Sequence, residues 1–175
     1  MDLTIEVIKN VLDDKTHKEI LSIVDGWDVP WLKGATTMNK LGEPDKDVQF
    51  SHTIYLDHNV TSNLFNVFQP LYDILDVRLF HRIRLNCNLR KNENRILGRY
   101  HTDFNDKYNL PHEDIKIAIY YLNSTDGKTL IKENDKVVEV DCEENSVVVF
   151  PNSLQHTGTT HTNSDFRYVL NINYV

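Results

Sequence analysis

The chain has little of what usually staples, anchors or addresses a protein. It holds two cysteines, Cys87 in a strand-like run and Cys142 beside "EEN". That number and spacing fit neither a disulfide framework nor a zinc site, so both read as small buried thiols. No run approaches the ~18 apolar residues that cross a bilayer, and the opening "MDLTIEVIKN" has acidic residues where a signal sequence has an apolar core. A cytoplasmic protein with no membrane partner is expected. Lysine and arginine number 19 against 26 acidic residues, the formal charge is −7, and no basic block occurs. Nucleic acid is therefore disfavoured as a partner, because phosphate backbones are held by clustered positive charge. Repeats, low-complexity stretches and linkers are lacking too. The 175 residues read as one domain, 1–175, large enough to bury its own core.

What is present is a hydrophobic fraction of 40%, in short runs of Val, Ile, Tyr and Phe divided by Asn, Asp, Gly and Pro. That texture favours strands. In the first part, 1–78, "LTIEVIKN" alternates as a strand does. Asp13 or Asp14 then caps a helix that turns Ile20, Leu21, Val24 and Trp27 inward and leaves His17 and Glu19 on its exposed first turn. "VPWLKGATTMNKLGEPDKD" reads as a long loop before the strand "VQFSHTIYLD". Helical spacing runs through Leu64, Phe65, Phe68, Leu71, Tyr72 and Leu75, a core stripe that Pro70 splits or restarts. From residue 79 the pattern changes to eight short strands, with turns at "STDGK", "KEND", "EEN", "FPNS" and "HTNSD". The expected fold is mostly β with flanking helices: a double-stranded β-helix (jelly roll, cupin-like) over 79–175, braced on one outer face by 1–78.

Three His-x-acid pairs occur, His17/Glu19, His101/Asp103 and His112/Asp114, where composition alone would yield about one. Residues two apart on a helix diverge, which disposes of the first. His112 follows Pro111 in a stretch that reads as loop and turn. His101 and Asp103 end a strand, where i and i+2 share a face, so the pair can offer one nitrogen and one oxygen. His156, in "VVVFPNSLQHTG", can supply a third ligand. Two histidines and a carboxylate on one face of an octahedron leave the opposite positions open, as non-haem Fe(II) oxygenases require. Thr102 should point to the other face. His161, in "HTNSD", should face water, and His52, His58 and His81 read as exposed or structural. Arg167 lies on a strand expected to close a hairpin with the His156 strand, and its fork can hold a carboxylate. Alternation sets Arg167, Val169, Asn171 and Asn173 against Phe166, Tyr168, Leu170, Ile172 and Tyr174. The polar face is either the solvent side or the lining of a polar cavity.

The ordered set "YHTDF", "IAIYYLN", "DGKT", "VVVFPNSLQHTG" and "FRYVLNINY" resembles the 2-oxoglutarate and Fe(II)-dependent dioxygenases over roughly 79–175. The closest likeness is to the prolyl-hydroxylase-like branch, in its compact phage and bacterial form. The resemblance implies iron held by His101, Asp103 and His156, with Arg167 on the distal carboxylate of 2-oxoglutarate. It implies Tyr121, the second tyrosine of "YYLN", as a further contact to that carboxylate. Asn88 falls where relatives have another co-substrate-binding tyrosine. Implied cofactors are Fe(II), 2-oxoglutarate and O2, with ascorbate as an accessory; the implied reaction is hydroxylation of an aliphatic carbon. A prolyl residue in a peptide or protein is the first substrate expected, with small molecules also compatible. The loop "FNDKYNLPHEDIK", with Asn105, Tyr108 and Pro111, would be a lid. The family's Gly-Gly-x-Thr/Leu stands here as Asp126-Gly127-Lys128-Thr129. Two other classes stay open: a catalytically silent jelly-roll binding module, and a cupin-like metalloenzyme that does not use 2-oxoglutarate.

Overall fold

The computed structural model describes residues 5–26, 28–35, 48–104 and 114–175. Two antiparallel sheets form the frame. The N-terminal part gives β1 (Glu6–Lys9), α1 (Asp14–Val24), β2 (Leu32–Ala35), β3 (Val48–Leu56) and β4 (Asn59–Val60), then a 3-10 helix (Asn63–Phe68) running into α2 (Gln69–Ile74). Eight strands follow: β5 (Phe80–Leu89), β6 (Ile96–His101), β7 (Lys116–Tyr121), β8 (Thr125–Glu133), β9 (Lys136–Cys142), β10 (Ser146–Pro151), β11 (His156–Thr159) and β12 (Phe166–Tyr174). The larger sheet runs β1-β10-β7-β12-β5-β3-β2, with β4 on β3, and the smaller runs β6-β11-β8-β9. This is the expected jelly roll, and each of the eight expected strands is present.

Asp13 caps α1 by accepting from the backbone N–H of Lys15 and Thr16 at 3.1 and 3.0 Å, a cap worth about 1 kcal/mol. Pro70 begins α2, where its missing N–H costs nothing. Strand alternation then assigns two cores. On β7 and β12, Ala118, Tyr120, Leu170 and Ile172 face the helices, where Ile20, Val24, Phe68, Leu71 and Tyr72 pack on them. Ile117, Ile119, Tyr121 and Val169 face the other way and meet Ile131, Val140, Val148 and Phe150 between the sheets. Each fully buried aliphatic side chain contributes about 1.5–3 kcal/mol. Both cysteines are free and buried, as expected.

Several expectations fail. His17 is buried, not exposed, and its Nδ1 lies 2.5 Å from the Tyr120 hydroxyl. The helix lies on the sheet with the His17, Ile20 and Val24 stripe inward, so Tyr120 projecting from β7 meets the imidazole. The stretch read as a long loop contains β2, which pairs with β3 from Leu32↔Ser51 to Ala35↔Val48 and so satisfies an edge that alternation could not announce. "STDGK" is mostly strand: β8 starts at Thr125, and a register shift between Thr125 and Lys128 accommodates Asp126 and Gly127. The strands bearing His156 and Arg167 do not form a hairpin. β11 pairs with β6 and β8, β12 with β5 and β7, and the connection crosses from one sheet to the other. Trp27, Asn105, Tyr108, Pro111 and His112 lie outside the described residues, so the loop expected as a lid, over 105–113, and the histidine of the third His-x-acid pair do too.

Candidate metal centre and its cavity

Crossing between sheets is what builds the site. His156, the first residue of β11, is the register partner of His101, the last residue of β6, and a register shift follows between His156 and Gly158. Irregularities of this kind re-aim side chains near functional sites. The two imidazole rings lie 4.6 Å apart, centroid to centroid. Asp103 sits in the bend just past β6. One donor atom from each of His101, Asp103 and His156 lies within 4.8 Å of the other two. Asn152, in the turn between β10 and β11, fixes the chain beyond Asp103: it accepts from the Phe104 N–H and donates to the Phe104 carbonyl, both at 3.3 Å.

The Asp103 carboxylate is almost wholly buried and its oxygens are held from the larger sheet. Arg82 on β5 approaches Oδ1 at 3.0 Å. Asn171 and Asn173 on β12 donate to Oδ2 at 3.0 and 2.8 Å, and Asn173 also donates to Asn171 Oδ1 at 3.1 Å. Burial alone would push this carboxyl up; Arg82, His156, Asn173 and His101 together hold it well below the usual carboxylate range. His156 is pushed down to about 4, chiefly by burial, with Asp103 opposing and His101 reinforcing. The cluster thus presents an ionised carboxylate and a neutral imidazole, the forms in which these groups bind a metal.

A cavity of about 380 Å3 opens beside the triad, lined by alternate residues of β5, β6, β12 and their neighbours. The polar face of β12 is therefore cavity lining, not solvent side. Arg167 is 3% exposed. Its Nη1 donates to the Thr159 carbonyl at 3.1 Å and leans toward that of Lys128 at 3.4 Å, with no carboxylate paired to it among the described residues. Gly127 makes room for it: a Cβ there would stand 3.1 Å from Arg167 Nη1 and 3.2 Å from the Thr160 oxygen. Asn88 lines the same end, as the register partner of Arg167, and accepts from Gln49 Nε2 at 3.1 Å. Tyr121 is fully buried; its hydroxyl donates to Thr129 Oγ1 at 2.8 Å, and its ring centroid lies 5.9 Å from the Arg167 guanidinium carbon. Burial pushes the Tyr121 hydroxyl pKa up, so it stays a neutral donor, although Arg167 pulls the other way.

All six residues singled out from the sequence therefore lie at or against one cavity. Thr102, expected to point away, lines it as well, because the strand ends at His101 and the bend turns Thr102 inward. His161 is fully buried rather than facing water. Asp126 draws its turn onto the protein by accepting from the Thr162 N–H at 2.7 Å and the Thr162 hydroxyl at 2.6 Å. His52 is structural, held by Ser62 Oγ at 2.7 Å, and His58 is exposed. Sequence reasoning missed Arg82 and Arg84. The signal was in "HRIRLNCN", where Arg82, Arg84, Asn86 and Asn88 alternate with Ile83, Leu85 and Cys87 as Arg167, Asn171 and Asn173 do on β12.

No family model matches the chain, and no curated relative does. Solved structures do. A prolyl hydroxylase from Trichoplax adhaerens, in complex with a hypoxia inducible factor peptide fragment, superimposes with a TM-score of 0.69 at 12% identity, over 99% of this chain and 84% of that one. A 2OG-Fe(II) oxygenase family oxidoreductase from Burkholderia pseudomallei gives 0.66 at 11%, over 97% and 84%. A non-haem α-ketoglutarate-dependent epimerase from nogalamycin biosynthesis gives 0.64 at 10%, over 99% and 76%. Along nearly its whole length, this chain has the double-stranded β-helix fold of those proteins.

Proposed function

We propose that the protein is an Fe(II)- and 2-oxoglutarate-dependent dioxygenase, with His101, Asp103 and His156 as metal ligands and Arg167 as the anchor for the distal carboxylate of 2-oxoglutarate. One observation carries the reading. Three donors of the right chemistry converge at a cavity whose other end holds a buried arginine that has no counter-charge among the described residues. The donor set suits Fe(II): two imidazoles and one carboxylate are borderline-hard ligands that leave coordination positions free. Solved relatives in fold that use the same co-substrate support it.

When bound there, Fe(II) with O2 supplies the oxidation of a C–H bond, coupled to conversion of 2-oxoglutarate to succinate and CO2. The chain's own residues bind and orient. Arg167 offers a guanidinium already immobilised on the Thr159 carbonyl, so little ordering is left to do when a carboxylate arrives. Tyr121 keeps its proton and can hand a hydrogen bond to that carboxylate by turning from Thr129, and the Asn88 amide faces the same end. Asn171, Asn173 and Arg82 fix the Asp103 carboxylate in orientation before any metal arrives, the outer support that ligating carboxylates need. The acceptor is an aliphatic carbon, and a prolyl residue is the first candidate because prolyl hydroxylases share the fold. The epimerase with the same frame shows that the frame does not choose the acceptor.

Anaerobic titration tests the proposal. Fe(II) and 2-oxoglutarate together should produce a weak visible charge-transfer band that neither produces alone. Iron-loaded protein that gives no band and forms no succinate from 2-oxoglutarate would sink the reading.

A further inference from the structure

The cavity carries more positive charge than one co-substrate needs. Among the described residues, four arginines line it, Arg82, Arg84, Arg99 and Arg167, against a single carboxylate, Asp103. Arg82 is spent on Asp103 Oδ1. Asn171 and Asn173 occupy Oδ2, so Asp103 attracts Arg84 through space without pairing with it. Arg84 is half-buried, and among the described residues its guanidinium has no ion-pair or hydrogen-bond partner. Its register neighbours are Asn171 on β12 and Thr53 on β3, both neutral. Burial pushes its pKa down and Arg82 pushes the same way, with Asp103 opposing, so on balance the environment disfavours the charge it carries. A guanidinium does not escape by losing its proton, so one half-buried at a cavity wall favours an anion in that cavity.

The place of Arg84 separates it from the proposed 2-oxoglutarate anchor. Arg167 pairs with Asn88, and Arg84 lies four residues further along β5, about 13 Å of strand away. It stands instead beside the residues that hold Asp103. From the facing sheet, Leu97, Arg99 and His101 share one face of β6, so exposed Arg99 enters the cavity from the same strand as a metal-ligand candidate. The metal end of the cavity is therefore flanked by two cations from opposite walls, neither held in an ion pair among the described residues.

We infer that the acceptor substrate is a small acid, whose carboxylate or phosphate is held by Arg84 and Arg99 at the metal end of the cavity. The inference rests on the proposed function for its choice of Arg167 as the 2-oxoglutarate end. It replaces an internal prolyl residue, which brings only neutral amides, with a molecule that brings its own charge. Arg84 and Arg99 then act as specificity residues, pinning the anion so that a neighbouring carbon faces the triad.

The test uses acetate and inorganic phosphate as probes, at constant ionic strength against chloride. The full chain is loaded anaerobically with Mn(II) and 2-oxoglutarate, so that no turnover occurs and the Arg167 end is filled. Melting temperature is followed across each titration. The wild type should gain stability saturably, with the stronger probe telling carboxylate from phosphate. Arg84→Gln should need at least tenfold more of that probe, Arg84→Lys should fall between, and Arg84→Gln without probe should melt at or above the wild type, since it loses an uncompensated cation. Equal responses from wild type and Arg84→Gln would overturn the inference, as would an Arg84→Gln that is destabilised but responds unchanged. Stabilisation by Mn(II) and 2-oxoglutarate without an Arg84-dependent probe response defeats this inference alone. An Arg84-dependent response in protein that ignores Mn(II) and 2-oxoglutarate defeats the oxygenase reading and leaves the anion site standing.

Discussion

Replacing Asn173 by alanine strips the Asp103 carboxylate of its shortest amide donor without touching a proposed ligand. The bond is 2.8 Å long, donated by a fully buried amide, and made to an ionised group. Hydrogen bonds to charged groups contribute about 1.5–3 kcal/mol, which is about 10–150-fold in an equilibrium constant. Asn171 at 3.0 Å and Arg82 at 3.0 Å remain, so the carboxylate stays ionised but gains freedom to rotate. Lost supports of ligating groups typically cost about 10–100-fold in metal affinity, and the two ranges agree. The sign of the accompanying pH effect follows. Asn173 helps to depress the Asp103 pKa, so its removal raises that pKa, and protons should compete with metal at a higher pH than in the wild type. The assay is competition for Fe(II) or Mn(II) against a chelator of known affinity, run across acidic pH, with urea denaturation alongside. Metal affinity within twofold of the wild type, with only stability lost, would show that Asn173 packs the core and does not orient Asp103.

Two further outcomes follow from the geometry. Arg167→Gln should leave metal affinity intact and weaken 2-oxoglutarate binding by about 10-fold or more, the worth of a charge-assisted contact; lost metal with unchanged 2-oxoglutarate affinity, measured anaerobically, would remove Arg167 from its role. Stability should fall on acidification below about pH 6.5, because His17 is buried and its pKa lowered, chiefly by burial, so the unfolded chain takes up a proton that the folded one refuses. His17→Leu should flatten that slope by up to about 1.4 kcal/mol per pH unit, the effect of one proton; parallel pH profiles of urea midpoints for the two proteins would refute it.

The strands were readable because turn residues stand where the backbone turns: Asn134 and Asn145 adopt φ of 55° and 54° in the "KEND" and "EEN" turns. The candidate triad was readable as a cluster because His101 and Asp103 are local and His156 follows a Pro-Asn-Ser turn. What alternation cannot state is which sheet a strand joins. That left open whether the Arg167 face met water or a cavity, and it made β11 and β12 look like a hairpin. The burial of His17 was legible in principle, since it lies three residues before Ile20 and seven before Val24 on the same helical stripe. Sequence alone sends a polar residue on an apolar stripe to solvent, because the Tyr120 hydroxyl that receives it lies over 100 residues away in the chain. Arg82 and Arg84 carry no local signal of their place, because a strand with alternating arginines looks the same whether its polar side meets water or lines a cavity.

The division of the triad between the two walls has a mechanical consequence. Both imidazoles ride on the smaller sheet, while the carboxylate is moored by side chains of the larger one. The spacing of the three donors is thus a gauge of how far the jelly roll is open. A metal ion bound among them would act as a rivet between layers, and anything that pries those layers apart would be felt first at the metal.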